Sequence, residues 1–158
     1  MNQSTREINI TRIFDAPREK VWRAWTNPED LKMWWGPETY TTPYFTVDLR
    51  VGGKYLYCMR SSSGEETWGT GTYLEVVDQK RLVSTDSFAD KDGNIVPAST
   101  YGMDVEWPAD SKIALTFEDM DGKTRFTLKH TSIPAGSDGD LSEQGWNDSF
   151  DRLANYLK

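Results

Sequence analysis

The sequence predicts an α+β fold. A curved antiparallel sheet wraps around a long C-terminal helix, and two short helices follow the first strand. Three observations predict this architecture. From about residue 39 the apolar pattern has period two, broken by turn residues at short intervals. Residues 15–37 carry two helix-start signals in close succession. The last segment places Trp146, Phe150, Leu153 and Leu157 at spacings of four, three and four, one face of a helix.

Each element follows from its residues. "REINITRIF" (6–14) is β-branched and alternating, so it is expected to form the first strand. In "DAPREKVWRAWT", Asp15 or Ala16 can cap a helix and Pro17 suits its first turn. Val21, Ala24 and Trp25 then share a face. Asn27-Pro28 opens a second, shorter helix that carries Leu31 and Trp34 on one side and stops by Gly36-Pro37. "YFTVDLRVGGKYLYCMR" is expected to form two strands joined at Gly52-Gly53. "EETWGTGTYLEVVD", "RLVSTDSF", "STYGMDVEW", "KIALTFED" and "KTRFTLKH" continue as strands joined by polar turns. In the final helix, Asp140 and Glu143 have capping-box spacing. Its apolar stripe must cover something, and the sheet is the one large apolar surface available. A strongly twisted sheet of this size curls. One helix laid across it leaves room at its ends, and that room is the expected pocket.

Composition narrows the function. At 158 residues the chain is expected to be one domain spanning 1–158. Aromatic residues make up 13%, a supply of amphipathic rings that suits pocket walls as well as a core. A net charge of −7 without a basic run argues against nucleic acid as a partner. A single Cys58 and a single His130 leave no Cys/His zinc site and no internal disulfide. The start "MNQSTREINITRIF" has no apolar signal core, and no run of about 18 apolar residues occurs. The expectation is a cytoplasmic protein without a membrane span, metal or cofactor.

Several stretches together resemble a known family. "RIFDAPREKVWRAWTNPEDLKMWWGP", "VDLRVGGKY", "GTGTYLEV" and "GWNDSFDRLANYL" are similar to the SRPBCC (START-like, helix-grip) superfamily. More closely they resemble proteins similar to the C-terminal domain of the activator of the heat-shock chaperone ATPase. The similarity runs from about Ile8 to Leu157. It implies a helix-grip fold with a cavity between sheet and last helix. It implies no single activity, because relatives include lipid carriers, polyketide cyclases and co-chaperones. The separate N-terminal domain of the eukaryotic co-chaperone has no match in this sequence, which weighs against ATPase activation.

Candidate site residues follow from register. With a two-residue Gly52-Gly53 loop, Arg50 opposes Tyr55 and Asp48 opposes Tyr57. Asp48, Arg50, Tyr55, Tyr57 and Met59 then share one face, while Phe45, Val47, Leu49, Leu56 and Cys58 share the other. The family pattern turns the mixed face toward the helix. The alternative is that the aliphatic set is the core, and a bulge at the Gly pair would exchange the two. Trp34 belongs either to the core or to the pocket rim, and Trp35 packs on the following loop. Trp146 and Phe150 bring the final helix to the site. The expected ligand-binding set is therefore Trp34, Asp48, Arg50, Tyr55, Tyr57, Met59, Trp146 and Phe150, with no catalytic residue. His130 is expected at the surface or a strand end, and Cys58 as a buried thiol. The expected function is binding of a small hydrophobic or amphipathic molecule. A cyclase- or hydrolase-type enzyme using Asp48, Arg50 or a Tyr hydroxyl is one alternative. A chaperone-interaction module is the other.

Overall fold

The computed structural model describes residues 5–102 and 111–158. Strand β1 (Thr5–Phe14) is followed by helices α1 (Arg18–Thr26) and α2 (Pro28–Trp34). Then come β2 (Thr41–Val47), β3 (Lys54–Arg60), β4 (Glu66–Val77), β5 (Arg81–Thr85) and β6 (Ser87–Ala89). A short 3₁₀ turn (Ala98–Tyr101), β7 (Lys112–Met120), β8 (Lys123–Pro134) and α3 (Ser137–Tyr156) complete the order. The strands form one antiparallel sheet in the order β1-β8-β7-β5-β4-β3-β2, with β6 added to β4. This is the helix-grip arrangement. Among the described residues, no helix is long and apolar enough to cross a membrane.

Local chemistry explains the elements. Asn27 caps α2, its side chain accepting from the Glu29 N–H at 3.0 Å. Pro17 occupies the N-cap of α1 itself, and neither Asp15 nor Ala16 caps it. Asp140 and Glu143 form no capping box, because α3 already begins at Ser137. Both carboxylates instead receive Arg6 of β1, at 2.6 and 2.7 Å. Arg12 of β1 reaches Asp151 at 2.9 Å, so β1 straps α3 along its length. Beneath α3, Phe150 and Leu153 are fully buried and meet a dense aromatic core. Trp25 stacks on Phe126 with ring centroids 5.3 Å apart, and Phe150 meets the same Phe126 edge-on at 5.3 Å.

Three sequence expectations change. The β2–β3 register is not the one a two-residue loop would give. Val47 pairs with Tyr55 and Phe45 with Tyr57. Tyr55 thus faces Val47 where Arg50 was expected, a slip of three residues (50 − 47). An odd slip exchanges the two faces of β2. The cause is that Gly52 and Gly53 are used elsewhere. The Gly52 N–H donates to the Tyr73 carbonyl at 2.8 Å and the Tyr73 N–H to the Gly53 carbonyl at 2.9 Å, which docks the loop on β4. Next, "RLVSTDSF" is not continuous but breaks at Asp86 into β5 and β6. Last, Ala98–Tyr101 within and beside "STYGMDVEW" is a 3₁₀ turn, and residues 103–107 of that stretch lie outside the described residues.

Candidate functional site

A cavity of about 320 Å³ lies between the sheet and the first half of α3. Its walls come from six places in the chain. Trp35, Gly36, Pro37 and Tyr40 follow α2; Tyr57 and Met59 come from β3, and Thr67 from β4. Asp86, Ser87 and Phe88 come from the β5–β6 break, and His130 from β8. Leu141, Ser142, Gly145, Trp146 and Ser149 come from α3. The inward face of α3 explains the space. Ser142, Gly145 and Ser149 lie three and four residues apart and are small, whereas Phe150, Leu153 and Leu157 further along fill the sheet.

Two glycines shape the β3 wall. Tyr57 pairs across the sheet with Gly69 and Tyr55 with Gly71. A Cβ on Gly69 would stand 2.4 Å from the Tyr57 ring, and one on Gly71 would stand 2.5 Å from the Tyr55 ring. Both rings lie across the bare backbone of β4. Trp35 then packs against Tyr57 at 5.1 Å and meets Trp146 at 5.5 Å with the planes at 85°. The two indoles form a corner.

Polar groups converge on the same space. At the β5–β6 break the Thr72 N–H donates to the Thr85 side chain at 2.9 Å, and the ladder does not continue through Asp86. The Tyr55 hydroxyl donates to the Thr85 carbonyl at 2.9 Å and to Asp86 Oδ1 at 3.2 Å. Burial lifts the Asp86 carboxyl to about 7, although the Tyr55 hydrogen bond pulls the other way. His130 is 1% exposed. Its Nδ1 accepts from the Trp146 indole N–H at 3.1 Å, so the neutral ring carries its proton on Nε2. That N–H donates to Ser111 Oγ at 3.0 Å, and Ser111 donates onward to the Thr131 carbonyl at 3.2 Å. Burial pushes His130 down to about 4, so the ring is neutral at pH 7. Burial also keeps the Tyr55 and Tyr57 phenols protonated, raised well above the usual range.

Of the residues anticipated for the site, Tyr57, Met59 and Trp146 line the cavity. The others do not. Trp34 is fully buried in the core, its indole N–H donating to the Ala24 carbonyl at 2.9 Å. Asp48 and Arg50 pair at 2.9 Å on the exposed hairpin loop, removed from the cavity by the register slip. Tyr55 lies one layer below, reaching the site through Asp86. Phe150 belongs to the core. Trp35 is a cavity wall rather than only a loop contact. His130 is buried, not superficial, and the signal was present: Phe126, Leu128 and His130 alternate on the inward face of β8. Asp86 offered only a carboxylate inside an otherwise continuous strand pattern.

Residues 15–158 match the family of activator of Hsp90 ATPase homolog 1-like proteins. The chain belongs to this family. Its architecture is accordingly that of the SRPBCC superfamily, in which ligand-binding domains are general. Several solved structures share the fold. A protein of Chromobacterium violaceum is 27% identical with a TM-score of 0.77, over 96% of each chain. A protein of Nitrosomonas europaea is 25% identical with a TM-score of 0.76, over 96% of this chain and 93% of its own. An AHSA1-like protein of Aeromonas hydrophila, 21% identical over 96% of this chain and 92% of its own, has a TM-score of 0.73 and supports the fold alone. No curated protein gives a significant match to the sequence.

Proposed function

We propose that the protein binds a small amphipathic molecule in the cavity under α3. The observation that carries this reading is a space of about 320 Å³ walled by aromatic rings and Met59, with one carboxyl at its polar end. Ligand sites typically combine apolar walls with a few convergent polar groups. Burying a phenyl-sized group of roughly 150 Å² would contribute about 4 kcal/mol before the costs of association. Tyr57, Met59, Trp35 and Trp146 are the proposed contacts.

Fluorescence titration with 2-phenylethanol and medium-chain alcohols tests the reading. Tyr57→Ala and Trp146→Ala are expected to weaken binding tenfold or more. Trp34→Phe is expected to reduce stability while leaving affinity unchanged. Equal binding by wild type, Tyr57→Ala and Trp146→Ala would remove the cavity as the site.

One observation favours a second reading, an enzyme of the cyclase or hydrolase type: Asp86 presents a carboxyl to the cavity. Both His130 nitrogens are committed, so Asp86 would be the base, in place of Asp48 and Arg50. Loss of turnover of a cyclisable polyketone in Asp86→Asn would support it, and turnover unchanged by that substitution would exclude it.

A further inference from the structure

We infer that the molecule held in this cavity is a small organic amine, bound as its ammonium ion at Asp86 within an aromatic enclosure. The inference rests on the binding reading above and adds the chemical class of the ligand. Its basis is an imbalance of charge and hydrogen bonds. Asp86 Oδ1 accepts from Tyr55 at 3.2 Å. Among the described residues, Oδ2 accepts no hydrogen bond, and His130 Nε2 stands 3.9 Å from it. That nitrogen is engaged with Ser111 at 3.0 Å, and the indole of Trp146 holds the other. The imidazole therefore cannot become the counter-ion without losing the Trp146 bond.

Among the described residues, no Lys or Arg lines the cavity. The nearby Arg152 is committed elsewhere, its Nη1 donating to the carbonyls of Trp35, Gly36, Pro37 and Tyr40 at 3.0–3.4 Å. A carboxylate in apolar surroundings is costly unless a cation reaches it. Here the described residues supply none, and the carboxyl holds its proton unusually well. The surrounding rings favour the same guest. Trp35, Tyr40, Tyr57, Phe88 and Trp146 all border the space. Aromatic faces attract cations, Trp most strongly. An anionic head would instead meet Asp86 and a ring of negative faces. The chain's net charge of −7 attracts cations at longer range.

Three probes of matched size test the inference by isothermal calorimetry: 2-phenylethylamine, 2-phenylethanol and 3-phenylpropionate. At pH 8 wild type is expected to bind the amine at least tenfold more tightly than the alcohol, with the carboxylate weakest. Asp86→Asn is expected to abolish that preference, and retained binding of 2-phenylethanol by the variant reports that the cavity is intact. The wild-type comparison stands even where the variant fails to fold. Amine and alcohol binding equally well would overturn the inference and leave the binding reading standing. Tighter binding of the carboxylate would do the same. Binding of none of the three would remove both.

Discussion

Asp86 and His130 sit side by side in the cavity with opposite displacements, and their contributions to stability run in opposite directions with pH. Buried Asp86 keeps its proton up to about 7, whereas an unfolded carboxyl releases it near 4. Between those values the native state binds more protons, so this group makes stability fall as pH rises. His130 is protonated only near 4 in the native protein and near 6.5 when unfolded. There the unfolded state binds more protons, so stability rises with pH over that window and is lost as pH falls through it. Among the described residues, the titratable groups that face Asp86 are His130 from β8 and Tyr55 and Tyr57 from β3, and both phenols stay protonated throughout. Asp86→Asn keeps the acceptor for Tyr55 and removes only the titration. Its side chain is 20% exposed, which discounts the effect. In urea denaturation the variant should gain about 2 kcal/mol over wild type at pH 8 and almost nothing at pH 4. A gain of the same size at both pH values would show that the carboxyl is not displaced. A stabilising substitution at a binding carboxyl would be an instance of strain retained for function.

At the scale of elements, the β3–β4 pair sets the cavity wall through glycine. "GTGTY" places Gly69 and Gly71 opposite Tyr57 and Tyr55, and the rings occupy the volume that side chains on β4 would take. Gly69→Ala forces the Tyr57 ring to move, since its nearest atoms would lie at 2.4 Å. The substitution should cost about 1–3 kcal/mol in thermal or urea unfolding. It should also weaken 2-phenylethanol binding, because Tyr57 can yield only by shifting within the cavity. Unchanged stability and affinity would refute this role. The same strands show what was legible in the sequence and what was not. Alternation in "KYLYCMR" correctly grouped Tyr55, Tyr57 and Met59 on one face. The partner strand was misplaced because the Gly52-Gly53 pair satisfies a turn rule while its hydrogen bonds go to Tyr73. A contact between residues so far apart in sequence is not written in local propensity. Asp48 and Arg50 left the site with that slip, and Phe45 and Val47 took their face. Asp86 was hidden for a related reason. A strand break in "RLVSTDSF" has no Gly or Pro to mark it, and it arises from the pairing of β5 and β6 with separate stretches of β4.

At the scale of the molecule, α3 determines where the fold is solid and where it is open. Toward its C-terminal end Phe150 packs on Phe14, Phe126 and Trp25, and Leu153 and Leu157 join the same buried core. Toward its start it presents the small residues Ser142 and Gly145 to the cavity, followed one turn on by Ser149, and Arg6 of β1 ties this end down. The large apolar contacts of the helix thus lie toward its C-terminal end, and the cavity lies toward its N-terminal end. This asymmetry could be read from the helix sequence, where the stripe of large residues begins only at Trp146. The seven tryptophans provide the direct test of the central claim that a guest enters this space and not the core. Assigned indole N–H resonances should be followed by NMR while 2-phenylethanol is added. The account predicts saturable shifts for Trp35 and Trp146, with Trp34 unmoved behind its bond to Ala24. Shifts at Trp34 with Trp35 and Trp146 silent, or no shift at any indole up to millimolar ligand, would contradict it.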